Sequence, residues 1–221
     1  IVKNRSQVFG YYDHNMTVMF ERVSDHVENP SKFTPRQRLH YIRAGEVIVS
    51  TGSIERPISF GNNDRPGIFL SSAAREYMKV YETLVGKKPI IFTNNDSAYA
   101  TALEFIKNDI NPIIVDTRDG SEGQLVKEVQ DLGIKIRFKS GIANTKGHLK
   151  IKSATIGTLD GEKEQFIALE EVDCDCICMS GGWTPTVHLS SQAGNKLKFN
   201  EDIDAFVPDK KRQKETAVGS A

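Results

Sequence analysis

The sequence predicts an α/β protein built from two domains, and three observations carry that reading. From Lys88 onward, short apolar strands alternate with amphipathic helices. Up to Val49, strands follow one another with short connections and no helix. Between these regions the apolar run Val47-Ile48-Val49 stops at Ser50-Thr51-Gly52-Ser53, with Pro57 shortly after. A strand ending at small, flexible residues lets a backbone approach a ligand closely, and it reads equally as a buried strand with a tight turn.

Residues 7–23 read as two strands around a turn. Val8 and Phe9 open the first, Gly10 to Asn15 form the turn, and Thr17 to Val23 form the second. Glu28 to Arg38, with Pro30 and Pro35, is a polar loop. Strands at Arg38–Ile42 and Val47–Val49 complete a β-meander. Gly61 to Gly67 is rich in turn formers. The spacing of Phe69, Leu70, Ala73, Tyr77, Val80, Tyr81 and Leu84 predicts a helix over 68–84, ended by Gly86 and Pro89.

Pro89 to Phe92 then begins a strand–helix–strand series. Helices are expected at 97–107 and 123–132, with strands at 112–116 and 134–138. Short strands at 149–151, 154–156 and 166–169 suggest hairpins, and Cys174 to Cys178 reads as one more strand. The charged run Asp209 to Glu215 reads as a solvated loop, and Thr216 to Gly219 as a strand returning to the first domain. The expected domains are 1–85, a partial first domain with its meander; 86–207, an inserted second domain; and 208–221, the return. Ile1 in place of Met and the small-residue ending suggest an internal segment of a longer protein.

The chain has 221 residues, 38% hydrophobic and 26% charged, with a formal net charge of zero. That balance favours neither nucleic acid nor an anionic membrane as partner. No apolar run approaches the roughly 20 residues of a membrane span. Cys174, Cys176 and Cys178 alternate, so a strand would turn all three thiols to one face. A flat row does not converge on a metal as looping C-x2-C spacings do, so core packing is expected and no metal site is assigned. The absence of a disulfide framework fits a reducing compartment such as the cytoplasm.

A nucleotide-binding βαβ unit needs glycines between its first strand and first helix. Here that place reads Thr93-Asn94-Asn95-Asp96-Ser97-Ala98. Asn95 and Asp96 put side chains where a phosphate would lie, and either Asp96 or Ser97 suits a helix N-cap. Asp116 stands where a ribose-binding acid usually sits, and without the glycines it reads as a structural turn residue. The second domain is therefore expected to be Rossmann-like with a degenerate glycine loop.

The segments Val8 to Asn15, Thr51 to Pro57, Asn62 to Gly67, Phe92 to Tyr99 and Ser180 to Leu189 together resemble the alpha subunit of heterotetrameric sarcosine oxidase. The resemblance implies an FAD/NAD(P)-binding two-domain fold, with NAD in the full alpha subunit and FAD and FMN in the full complex. It implies oxidation of sarcosine to glycine with oxygen and tetrahydrofolate, giving hydrogen peroxide and methylenetetrahydrofolate, with beta, gamma and delta subunits as partners. Carried over, it puts Thr51 and Gly52 beside the NAD, Val8 at a backbone contact to the adenine, and Gly219 at the closing turn. Asn62 to Gly67 is then a crossover, read as an interdomain turn or a ligand contact. No catalytic residue is assigned: Tyr11 to His14 read as a turn, Trp183 as a buried ring and His188 as a cap. No tightly held nucleotide is expected in this segment alone. A related opine or amino-acid dehydrogenase subunit and a non-catalytic scaffold are the alternatives.

Overall fold

The computed structural model describes residues 1–161 and 165–220. Its first half contains β1 (Ser6–Tyr12), β2 (Met16–Arg22), β3 (Gln37–Arg43), β4 (Val47–Val49), β5 (Ser53–Glu55), β6 (Ile68–Leu70) and α1 (Ser71–Val80). There follow β7 (Pro89–Thr93), α2 (Tyr99–Lys107), β8 (Ile113–Asp116), α3 (Gln124–Asp131) and β9 (Ile136–Arg137). Then come β10 (Ser140–Gly147), β11 (Ile151–Asp160), β12 (Gln165–Asp173), β13 (Cys176–Ser180) and β14 (Trp183–Pro185). The chain finishes with α4 (His188–Gln192), β15 (Leu197–Asn200), β16 (Ala205–Pro208) and β17 (Glu215–Ala217).

Two compact units result: Ile1–Ile54 with Thr184–Ala221, and Glu55–Trp183. The sequence reading puts the start of the second domain at 86 and its end at 207. In the structure the second unit begins earlier because β6 pairs with β13 in its central sheet. It ends earlier because the hairpin of β15 and β16 lies in the first unit.

In the first unit, β1, β2 and β3 form an antiparallel meander. β1 runs on through Gly10 to Tyr12, so the turn is only Asp13–Asn15. His14 and Asn15 take φ of 59° and 52° there, a left-handed conformation in which both residue types are enriched. β4 leaves the meander and pairs in parallel with β17 instead.

The second unit has a five-stranded parallel sheet in the order β6-β13-β7-β8-β9. Every residue of β7 and β13 is buried, as expected of strands covered on both faces. On one face Ile91, Ile114, Cys176 and Cys178 pack with Phe105, Val126 and Met78 of the helices. On the other, Ile90, Phe92 and Ile177 pack with Ile142, Ile151 and Ile156 from the antiparallel sheet of β10, β11 and β12. Each such aliphatic side chain contributes about 1.5–3 kcal/mol by leaving water.

The cysteines correct one expectation. All three are buried free thiols, but they do not share a face. β13 begins at Cys176, and Cys174 precedes it at the break after β12. Cys176 and Cys178 therefore face the helices, and Cys174 faces the opposite core. Among the described residues no cluster of three or more His, Cys, Asp or Glu is placed to hold a metal, and no helix is long and apolar enough to cross a membrane.

Candidate functional site

Two parallel strands of the first unit end side by side. β4 and β17 pair as Glu215 with Val47, Thr216 with Ile48 and Ala217 with Val49. In open α/β sheets, ligands bind at the carboxyl ends of parallel strands. After β4 comes Ser50-Thr51-Gly52, and Gly52 has φ +68°. After β17, the Val218 N–H donates to the Val49 carbonyl at 2.9 Å, and Gly219 follows. Gly219 has φ +76°. Any other residue would be strained at either φ. A Cβ on Gly52 would come no closer than 4.0 Å to Ser220 Oγ, and one on Gly219 would meet no described atom within 4 Å. Both glycines thus border open space.

Two hydrogen bonds fix the first turn. Thr51 Oγ1 donates to the Thr186 carbonyl at 2.7 Å, and the Thr186 N–H donates to the Gly52 carbonyl at 2.9 Å. A cavity of about 360 Å3 lies here, lined by Val8, Tyr11, Thr17, Glu46, Leu189 and the run Val47 to Thr51. Val8 reaches it from β1 at a bulge, where the pairing register shifts between Val8 and Gly10. The structure therefore brings Val8 and Thr51 to one cavity. Gly52 is the next residue, and Ser220, which follows Gly219, lies 3.4 Å from Ser53 through their hydroxyls.

Tyr11 is the cavity residue that sequence reasoning assigned to a turn. It is 1% exposed. Its N–H donates to Gln192 Oε1 at 2.8 Å and its hydroxyl to Asn15 Oδ1 at 3.0 Å. Burial raises the pKa of the phenol, and the nearby Glu215 adds to the effect. Asn15 Nδ2 donates to the carbonyls of Gly45 and Lys214, each at 3.1 Å. One side chain thereby ties the meander to the entry of β17. Nothing in the residue pattern marks it: Val8 to Tyr12 shows no polar–apolar alternation, and the register shift between Val8 and Gly10 sets which side chains turn inward. His188 does not cap α4; Val187 occupies the N-cap, and no side-chain cap bond forms.

The corresponding strand end of the second unit is filled by its own side chains. β7 stops at Thr93, and a 3-10 turn over Asp96–Ala98 leads into α2. Asn95 is the cap: its Oδ1 accepts from the Ser97 N–H at 3.1 Å and from Ser97 Oγ at 2.6 Å. Asn95 Nδ2 donates to the carbonyl and the hydroxyl of Ser180 at 3.1 and 3.0 Å. Trp183 Nε1 donates to Ser97 Oγ at 2.9 Å. Asp96 pairs with Arg118 at 2.8 Å. A pyrophosphate at this helix end needs free N–H groups and an approachable backbone. Asn95 holds the Ser97 N–H, and Asp96 adds negative charge, so the residues present do not fit one.

Asp116, at the end of β8, is fully buried. It accepts from the Tyr99 hydroxyl at 2.8 Å, from Arg118 Nη2 at 2.7 Å and from the Arg118 N–H at 3.0 Å. Burial, then the bond to Asp116, pushes the Tyr99 phenol far above its ordinary value. The bond to Asp116 holds Arg118 firmly charged. With these partners in place Asp116 is a structural acid.

This architecture is that of FAD/NAD(P)-binding oxidoreductases. Thioredoxin reductase of Lactococcus lactis aligns with 97% of this chain and 65% of its own, at a TM-score of 0.64 and 16% identity. L-proline dehydrogenase from P. horikoshii aligns with 97% of this chain and 35% of its own, at a TM-score of 0.59 and 19% identity. No protein-family model matches.

The sequence relatives are more particular. Sarcosine oxidase subunit alpha of Corynebacterium sp. (strain U-96) is 34% identical over 207 residues, 92% of this chain. That of Corynebacterium sp. (strain P-1) is 35% identical over 210 residues, 93% of this chain. The chain spans 21% of the length of each. It is thus related, along nearly all of its own length, to one stretch of sarcosine oxidase alpha subunits.

Proposed function

We propose that this chain is a segment of the alpha subunit of a sarcosine oxidase complex, and that its first unit helps to hold NAD in the full subunit. The observation that carries this reading is the paired strand end. Two left-handed glycines, Gly52 and Gly219, border open space beside a cavity that Val8 and Thr51 both line. On this proposal the backbone at Thr51 and Gly52 lies against the dinucleotide, Val8 offers its backbone to the adenine, and Gly219 begins the closing turn. When bound, NAD supplies a redox-active nicotinamide. The chain supplies close backbone approach and the apolar wall of Val47 to Val49. The first unit then acts as the partial first domain, and the second as an inserted Rossmann-like domain that carries no nucleotide.

The wider activity follows the relatives' name. The complex would oxidise sarcosine to glycine with oxygen and tetrahydrofolate, yielding hydrogen peroxide and methylenetetrahydrofolate. FAD and FMN would belong to the full complex, with beta, gamma and delta subunits as partners in the cytoplasm. No catalytic residue of that chemistry is assigned to this chain. Calorimetric titration of NAD into the complete subunit tests the reading. Gly52→Val should weaken NAD by about tenfold or more, because a branched side chain would occupy the space that the backbone leaves open. Unchanged affinity in that variant would overturn the assignment.

A further inference from the structure

The first unit has a second cavity, of about 510 Å3, away from any role given above. Arg5, Gln7, Phe20, Arg22, Asp25 and His26 line it. Its one carboxylate is already engaged: Asp25 accepts from Arg36 Nε at 2.8 Å and from Gln37 Nε2 at 2.7 Å. Those bonds, with a longer-range contribution from Arg22, hold its pKa below the usual range. Arg36 is itself 81% exposed and is not among the lining residues. Among the described residues neither the Arg5 nor the Arg22 guanidinium has a hydrogen bond or close ion pair.

The backbone at Arg5 is also unusual. It takes φ +52°, while its carbonyl accepts the Arg22 N–H at 3.0 Å. A left-handed residue outside glycine costs energy, and such strain gathers at ligand sites. Here it falls on the residue that brings a cation to the cavity.

We propose that this cavity binds a phosphate monoester carrying an aromatic body. Guanidinium groups form two-pronged, charge-assisted bonds to phosphate, and two of them line this cavity. Phe20, half-buried on β2 two residues before Arg22, adds an aromatic ring to the cavity wall. The cavity volume falls in the range of small-molecule sites, about 300–1,000 Å3.

Phenyl phosphate is the probe, titrated calorimetrically into the full-length protein with saturating NAD present. The expected result is saturable binding, weakened by about tenfold or more in Arg5→Gln/Arg22→Gln. Phenol should bind far more weakly, and Gly52→Val should leave phenyl phosphate affinity unchanged. Both arginines are exposed, so the variant should keep its circular dichroism and melting temperature. Absence of saturable binding, or binding indifferent to the arginines, overturns the proposal. Loss of binding in Gly52→Val alone would place the probe in the other cavity and overturn it too. The NAD reading stands or falls separately, on NAD affinity.

Discussion

The two units present the same device in opposite states. Each has parallel strands whose carboxyl ends meet a turn. In the first, Gly52 and Gly219 leave the strand ends of β4 and β17 bordering open space. In the second, Asn95, Asp96, Trp183 and Arg118 fill the end of β7 with a closed set of hydrogen bonds and an ion pair. Architecture alone therefore does not say where a ligand goes. What separates the two ends is whether the turn keeps its glycines or replaces them with residues that satisfy the backbone themselves.

The comparison breaks most visibly at Asp116. If it is a structural acid, Asp116→Ala leaves the Tyr99 hydroxyl and the Arg118 guanidinium without their buried partner. Removing one side of a buried charged network costs about 3–5 kcal/mol, so urea unfolding should show a loss of that order while NAD affinity stays level. A stable Asp116→Ala variant with weakened NAD binding would instead make Asp116 a ligand residue.

A smaller effect is expected at Trp183. Trp183→Phe keeps the ring's bulk and removes its donor to Ser97 Oγ. The loss should be about 1 kcal/mol in the same unfolding assay, the ordinary net value of one hydrogen bond. Ser97→Ala also removes the hydroxyl's bond to Asn95 Oδ1, so the check is that Trp183→Phe costs nothing more in a Ser97→Ala background.

The cysteines sharpen the picture of the second core. Burial pushes the Cys174 thiol up to about 12, and Cys178 is raised well above its ordinary value by its bond to Cys176 and by burial. Native protein at pH 8 should therefore resist thiol reagents until it unfolds. The sign for stability follows. The folded state keeps the proton after the unfolded thiol, with its ordinary value of 9.0, has lost it. Stability from Cys174 is thus intact below pH 9 and declines as pH rises toward 12. Rapid labelling of native protein at pH 8 would contradict the buried placement.

Much of the fold was legible because its strands are apolar and its helices periodic. Pro89 to Phe92 and Pro112 to Asp116 announce themselves as buried parallel strands, and the region between them as a helix. β10 was not legible: Ser140 to Gly147 holds a single bulky β-former, Ile142, and is a strand because it pairs with β11 over its length. The helix expected to reach Leu84 stops at Val80, where Thr83 N–H turns back to the Tyr77 carbonyl at 3.1 Å and Glu82 takes φ +49°. Apolar spacing continues past that point, but the backbone does not. At the candidate site, the turn at Gly52 was readable because an apolar run stops there at small residues, whereas Gly219 entered only through the family resemblance. Tyr11, Glu46 and Leu189 were not readable, since which side chains share a cavity depends on the pairing of distant strands.

The most direct test of the central claim is the number of NAD molecules bound per chain in the complete subunit, measured by calorimetry in the parent, in Gly52→Val and in Asn95→Ala. One NAD per chain is expected, weakened by Gly52→Val and untouched by Asn95→Ala. Two NAD per chain, or a site lost with Asn95 and indifferent to Gly52, would contradict it.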